Sequence, residues 1–264
     1  MNNAFYIAAT GMKAHQANLD SVAANMVNAN TTAYKRVNVV FSELVTTTNT
    51  DVNVADGQSQ PEVSALSSMI GGVSAVVTGR QFSTGELRKT ENPLDIAIQG
   101  EGFIEAILPN GSSVYSRGGT LKVAKDGTLL NAAGYPIKPG INIPDDAKAL
   151  NIQPDGRIIA ISNQGKSPVD LGQIQLVNFS NVAGLKMVGD NLFQPTESSG
   201  EAKTSFGVDD SNGTIVQGAL ESSNVKVIDE MMTMMLAQRA YEASLKVLQA
   251  ADELSAMTNN LRKG

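Results

Sequence analysis

The sequence predicts an α+β protein in which long N- and C-terminal helices, paired in a coiled-coil-like manner, flank a central antiparallel all-β domain. Three observations carry this expectation. All nine prolines lie between Pro61 and Pro195. Of the 24 glycines, only Gly11 and Gly264 fall outside the stretch from Gly57 to Gly218. The two ends carry apolar residues at helical spacing, whereas the middle carries turn dipeptides between short β-branched runs. Proline and glycine disfavour a helix interior by about 3 and about 1 kcal/mol relative to alanine. Their segregation leaves the ends free to be helical and breaks the middle into strands and turns.

The first segment, residues 1–36, has Phe5, Met12, Leu19 and Met26 at strict seven-residue spacing, with Ala8, His15 and Val22 between them. This is an a/d stripe broken only at His15. A helix from about Asn3 to Asn28 is roughly 40 Å long at 1.5 Å per residue. Asn28, Asn30, Thr31 and Thr32 then favour turns over continued helix.

The last segment, residues 219–264, offers Ser222, Ser223 or Asn224 as an N-cap. Asp229 and Glu230 in an early turn, with Arg262 and Lys263 at the end, match the helix dipole. Ile228, Met231, Met232, Met235, Tyr241, Leu245, Leu248, Ala251, Leu254 and Leu261 form a broad apolar face, and Glu242 and Lys246 pair on the other side. Isolated helices are marginal in water unless the stripe is buried. Burial against the other chain end, or against further copies, makes Phe5, Met12, Leu19, Val22, Met26, Ile228, Met232, Met235, Tyr241, Leu245, Leu248 and Leu254 the candidate assembly interface. The alternative is two ordinary helices capping one globular core. The methionine-rich face favours an intermolecular surface, because methionine adapts to several packing partners.

Between these ends, Asn110-Gly111, Asp126-Gly127 and Asp155-Gly156 each sit between short apolar runs, and type I′ hairpin turns are expected there. They define a β domain over residues 71–218. Residues 37–70 are rich in Thr, Ser, Asn and Val with few large apolar side chains, and read as an extended connector.

No catalytic, cofactor or metal site is expected. The single histidine, His15, has no acid at i±3 or i±4 and lies on the inner helical stripe, so a packed histidine is favoured over a general base. With no cysteine and one histidine, thiolate chemistry and the usual zinc sites are closed off. Asp145-Asp146 and Asp209-Asp210 lie in no twelve-residue calcium loop and read as turn residues. Gly100-Glu101-Gly102 lacks the third glycine of a dinucleotide fingerprint. Arg80 and Arg117, each within a strand-like run, read as solvated or ion-paired. A net charge of −6 without a basic patch argues against nucleic acid. No apolar run approaches the roughly 20 residues of a membrane span. The first ten residues lack a basic start and apolar stretch, so no Sec-type signal is expected.

Several motifs also resemble one family. Ala9-Thr10-Gly11-Met12, Asn18-Leu19-Asp20, Ala24-Asn25-Met26-Val27-Asn28 and Asn30-Thr31-Thr32-Ala33-Tyr34-Lys35-Arg36 are similar to the N-terminal signature of bacterial flagellar rod and hook proteins. Gly218-Ala219-Leu220-Glu221-Ser222-Ser223-Asn224-Val225 and Gln238-Arg239-Ala240-Tyr241-Glu242 resemble its C-terminal end. Asn92 to Phe103 and Tyr115-Ser116-Arg117 look like its β-domain motif. The family commonly has Gly-Phe where this chain has Ala33-Tyr34, a second Phe where it has Ile104, and Thr where it has Ser116. The resemblance spans essentially the whole chain, and a single small β domain fits the rod branch better than the larger hook proteins.

That resemblance implies a helical homopolymer forming a hollow shaft, with terminal helices inside and the β domain outside. It implies neighbouring rod and hook proteins, surrounding flagellar rings and the flagellar type III export apparatus as partners, and a periplasmic location within the basal body. It implies neither enzyme activity nor a cofactor. A different class of reading is a monomeric binding module whose helices brace a β domain.

Overall fold

A computed structural model describes residues 2–47, 68–144, 146–162, 168–205 and 213–261. The architecture is α+β, with a helix at each end and a central antiparallel β-rich region. Helix α1 spans Asn2–Val27 and helix α2 spans Val227–Leu261, about 39 and 52 Å long at 1.5 Å per residue. The chain forms two compact units. One contains Met1–Ala24, Asn38–Thr78 and Ile228–Gly264; the other contains Asn25–Val37 and Gly79–Val227.

The first unit holds most of both helices and a two-stranded sheet of β1 (Val37–Thr47) and β2 (Ser68–Arg80). The extended connector expected over residues 37–70 is therefore replaced at both ends by strand; residues 48–67 lie outside the described residues. Two strands are marginal alone in water, and this pair is braced by α1. Thr10 Oγ1 accepts from the Val73 amide at 3.3 Å. At Gly72, with φ +126°, an added Cβ would clash with that same Thr10 oxygen, so only glycine lets β2 lie so close to the helix. His15 stacks against Phe41 with ring centroids 5.7 Å apart, the packed role expected for the lone histidine. The helices approach each other through small residues: a Cβ on Gly11 would lie 3.6 Å from Ser244 Oγ.

Among its described residues the second unit is β-rich, its only helix being the end of α1 at Asn25–Val27, the first residue of α2 and one turn of 3-10 helix at Val182–Gly184. Its main sheet has six antiparallel strands in the order Lys186–Gly189, Leu192–Gln194, Ser113–Ser116, Phe103–Ile107, Leu176–Asn178 and Lys203–Ser205. An isoleucine-rich core, including Ile96, Ile98, Ile104, Ile158 and Ile215, is essentially closed to water. Beside it Phe82, Phe103, Phe179, Phe193 and Tyr115 meet edge to face, the preferred arrangement for aromatic quadrupoles.

All three expected hairpins form, but not with the expected turn. A type I′ turn needs positive φ at both central residues. Among the described residues only Ala33, Asp190 and Asn191 are non-glycine residues with positive φ. At Asn110-Gly111, Asp126-Gly127 and Asp155-Gly156 only the glycine is left-handed, which lengthens each loop by one residue. In each, the Asn or Asp Oδ1 accepts the amide two residues on, at 3.0, 3.2 and 3.0 Å. The turn with positive φ at both residues is instead Asp190-Asn191, joining two antiparallel strands.

Candidate assembly surface and its scaffold

The expected apolar face of α2 divides in two. Glu230, Met234, Ala237, Tyr241, Ser244, Leu248, Ala251 and Ser255 alternate at spacings of four and three, and all are buried or half-buried. Leu245 is also half-buried. The rest of the face is open: Ile228 is 78% exposed, Met231 and Met232 are 52%, Met235 55%, Leu236 62% and Leu254 58%. On α1, Val22 is buried, whereas Phe5, Met12, Leu19 and Met26 are half-buried. The deepest positions on α1 are Ala8, Ala14, Val22 and Asn25, mostly small residues that permit close packing. Thus the predicted interface residues do not form one seam. Some face inward within the first unit, and the first turns of α2 present a methionine-rich patch that is more than half exposed among the described residues.

The N-cap expectation for α2 fails for an instructive reason. The Asn224 side chain is engaged elsewhere: its Oδ1 accepts from the Arg36 amide at 2.7 Å and its Nδ2 donates to Gln81 O at 2.7 Å. Asn25 acts similarly. Its side-chain amide pairs with both the N–H and C=O of Val37, at 2.9 and 3.0 Å, as a neighbouring strand would.

These contacts surround a buried charge cluster that sequence reasoning missed. Lys35, Arg117 and Glu221 are 0, 3 and 1% exposed. Lys35 Nζ donates to Glu221 Oε1 at 2.6 Å and to Ser83 O at 2.8 Å. Glu221 Oε1 also accepts from the Gly85 amide at 2.9 Å, and its Oε2 accepts from Arg117 Nε at 3.2 Å. Arg117 spends its remaining donors on the carbonyls of Gly102 and Gly100, both at 2.8 Å. A buried carboxylate requires such saturation. Burial pulls the Lys35 ammonium below its ordinary pKa, Glu221 opposes that shift and Arg117 adds to it. Arg80 completes the girdle, donating to Lys35 O at 2.7 Å with its guanidinium 4.8 Å from the Tyr34 ring centre. Both arginines read as solvated or paired are thus in use, and the Gly100-Glu101-Gly102 bend serves as an acceptor platform.

Because these bonds knit residues 33–37 and 219–224 into the β unit, that unit reaches beyond the 71–218 range expected from glycine and proline. Ala33 sits within the knot, its amide donating to Glu221 O at 2.8 Å with φ +57°. A left-handed alanine is strained by about 1–2 kcal/mol. Ala33→Gly relieves that strain and, after the entropy cost of glycine, is expected to raise unfolding stability by about 0.5–1 kcal/mol. Urea denaturation followed by circular dichroism measures it, and a lower midpoint would contradict the account.

Among the described residues no group of His, Cys, Asp and Glu side chains is arranged to hold a metal ion, and no helix is long and apolar enough to cross a membrane. Asp145, Asp209 and Asp210 lie outside the described residues. Among the described residues the two features that stand out are a hydrogen-bonded internal ion cluster in one unit and an exposed apolar helix face in the other.

Comparison with known proteins supplies the family. A family model described as the flagellar hook protein FlgE/F/G D1 domain matches residues 97–160. Another, described as the flagellar basal body rod FlgEFG protein C-terminal, matches residues 216–261. The flagellar basal-body rod protein FlgG of Agrobacterium fabrum is 39% identical over 260 residues, covering 98% of this chain and 99% of its own. That of Borreliella burgdorferi is 34% identical over 266 residues and covers both chains fully, as does that of Bacillus subtilis at 31% over 277. The chain belongs to the flagellar basal-body rod protein family. Its role is accordingly structural rather than enzymatic.

Proposed function

We propose that this chain is the distal rod subunit, polymerising into a hollow helical shaft that carries torque from motor to hook. The observation that carries the polymeric part is the exposed face of α2, Ile228, Met231, Met232, Met235 and Leu236, on a helix whose other face is packed among the described residues. Such a patch is satisfied by a second chain. Identical copies joined head to tail make a heterologous interface, which extends into a filament when rotation does not close it.

In this reading Phe5, Met12, Leu19, Val22, Met26, Tyr241, Leu245 and Leu248 hold the two helices together in a coiled-coil-like seam. The alternating four-and-three burial along α2 supports that pairing. Ile228, Met232, Met235 and Leu254 meet the neighbouring copy. The distal assignment rests on end-to-end likeness to FlgG proteins. With it come neighbouring rod and hook proteins and the encircling rings as contacts, a periplasmic position, and delivery through the flagellar export apparatus without a cleaved Sec signal. In this reading the helical unit and the β unit have separate roles in the shaft. Electron microscopy of basal bodies from cells lacking the chain tests the placement. A rod that stops short of the hook is expected, and a full-length rod would exclude a distal subunit.

A further inference from the structure

Three hairpin turns of the second unit share one geometry and differ in one functional group. In Leu108–Ser112, Ala124–Thr128 and Gln153–Arg157 the glycine amide donates to the carbonyl three residues back, at 2.9, 3.0 and 2.9 Å. In each, the residue before the glycine turns its Oδ1 onto the amide two residues on. At Asp126 and Asp155 that group is a carboxylate, and at Asn110 it is a carboxamide. An N–H can only donate, so the Ser112 amide fixes the atom it meets, at 3.0 Å, as Asn110 Oδ1. Ser112 Oγ gives the same oxygen a second donor at 2.5 Å. The two bonds fold the carboxamide back over Gly111. Asn110 and Gly111 are both exposed, and nothing lies within 4 Å of where a Gly111 Cβ would stand.

We propose that Asn110 is a self-modification site, its carboxamide closing onto the Gly111 amide with loss of ammonia. Gly111 N gives its proton to hydroxide from solvent and bonds to Asn110 Cγ. The Cγ–Nδ2 bond then breaks, the departing nitrogen takes a proton from water, and a five-membered imide remains. Water opens that imide at either carbonyl, giving aspartate or isoaspartate, and no atom is oxidised or reduced. Negative charge develops on Oδ1 in the tetrahedral intermediate, where both Ser112 donors already point. Nucleophile and electrophile sit on adjacent residues, so their proximity is built into the chain. Glycine keeps the attacking nitrogen clear of any side chain. Asp126 and Asp155 lack the amine leaving group and, ionised, are poor electrophiles. They also show that this turn accepts the aspartate product, whereas isoaspartate lengthens the main chain by a methylene. Older chains thus carry a new negative charge at the tip joining Phe103–Ile107 to Ser113–Ser116.

Purified full-length chain is incubated in mildly alkaline buffer, digested, and read peptide by peptide by mass spectrometry. Peptide resolution is needed because the sequence repeats the dipeptide at Asn212-Gly213, and Asn212 lies outside the described residues. Replacement of NH2 by OH is expected at Asn110 before Asn131 or Asn191, and isoaspartate at 110 before 126 or 155. Asn110 lagging behind any of these would overturn the proposal. Aspartate formed without isoaspartate would show direct hydrolysis of the side chain and overturn the ring closure. Ser112→Ala is expected to slow conversion roughly two- to tenfold, what losing one hydrogen bond amounts to. Ser112→Thr keeps the hydroxyl and is expected to convert at the parent rate. Equal rates in all three chains would overturn the role given to Ser112.

Discussion

Glu221→Ala is expected to destabilise the β unit by about 3–5 kcal/mol, the range for stranding one side of a buried ion pair. The change leaves the Lys35 ammonium and the Arg117 guanidinium facing each other without their anion, in a site closed to water. It also removes the acceptor for the Gly85 amide. The measurement is urea unfolding followed by circular dichroism, with polymerisation scored separately. Lys35→Met added to Glu221→Ala is expected to recover part of the loss, because the second change removes one stranded cation. If Glu221→Ala shifts stability by less than about 1 kcal/mol, the ordinary range of surface ion pairs, the cluster does not organise this unit.

Met232→Asp and Met235→Asp are expected to abolish polymer growth while leaving the monomer folded. Both side chains are more than half exposed in the monomer, so an aspartate there costs the isolated chain little. Burying a methionine at an interface is worth about 1.5–3 kcal/mol. Replacing it with a charge that must be desolvated costs at least that much more. A combined loss of about 3 kcal/mol raises the critical concentration roughly 100-fold, at 1.4 kcal/mol per tenfold. Leu248→Asp and Leu19→Asp also stop assembly, but these positions are half-buried within the first unit and their variants lower monomer helicity as well. Circular dichroism of dispersed chain and sedimentation of concentrated chain separate the two outcomes. Normal polymer from the Met232 and Met235 variants would place the interface elsewhere.

Much of the fold was legible because local chemistry dictated it. Confinement of proline and glycine to the middle marked where helices end, and the Asn-Gly and Asp-Gly pairs marked three real hairpins. What failed depended on neighbours distant in sequence. Lys35 and Arg117 lie 186 and 104 residues from Glu221, and no periodicity links them. The only sign was the position of all three within family-like motifs. Asn224 was an acceptable N-cap by local rules, yet Arg36 and Gln81 claimed its side chain. Heptad spacing identified apolar residues on both helices but not what each would meet. Small residues near Gly11 and Ser244 draw the helices together, and β1 and β2 take part of the surface assigned to helix pairing. The apolar face of α2 therefore stays partly exposed in the single chain, and the exposed remainder is the assembly patch proposed above.

The most direct test of that claim is electron microscopy of the purified chain at high concentration. Hollow helical polymer that disappears with Met232→Asp is the expected result. Dispersed monomers at every concentration, with the two helices intact, would contradict it and favour a monomeric module braced by its helices.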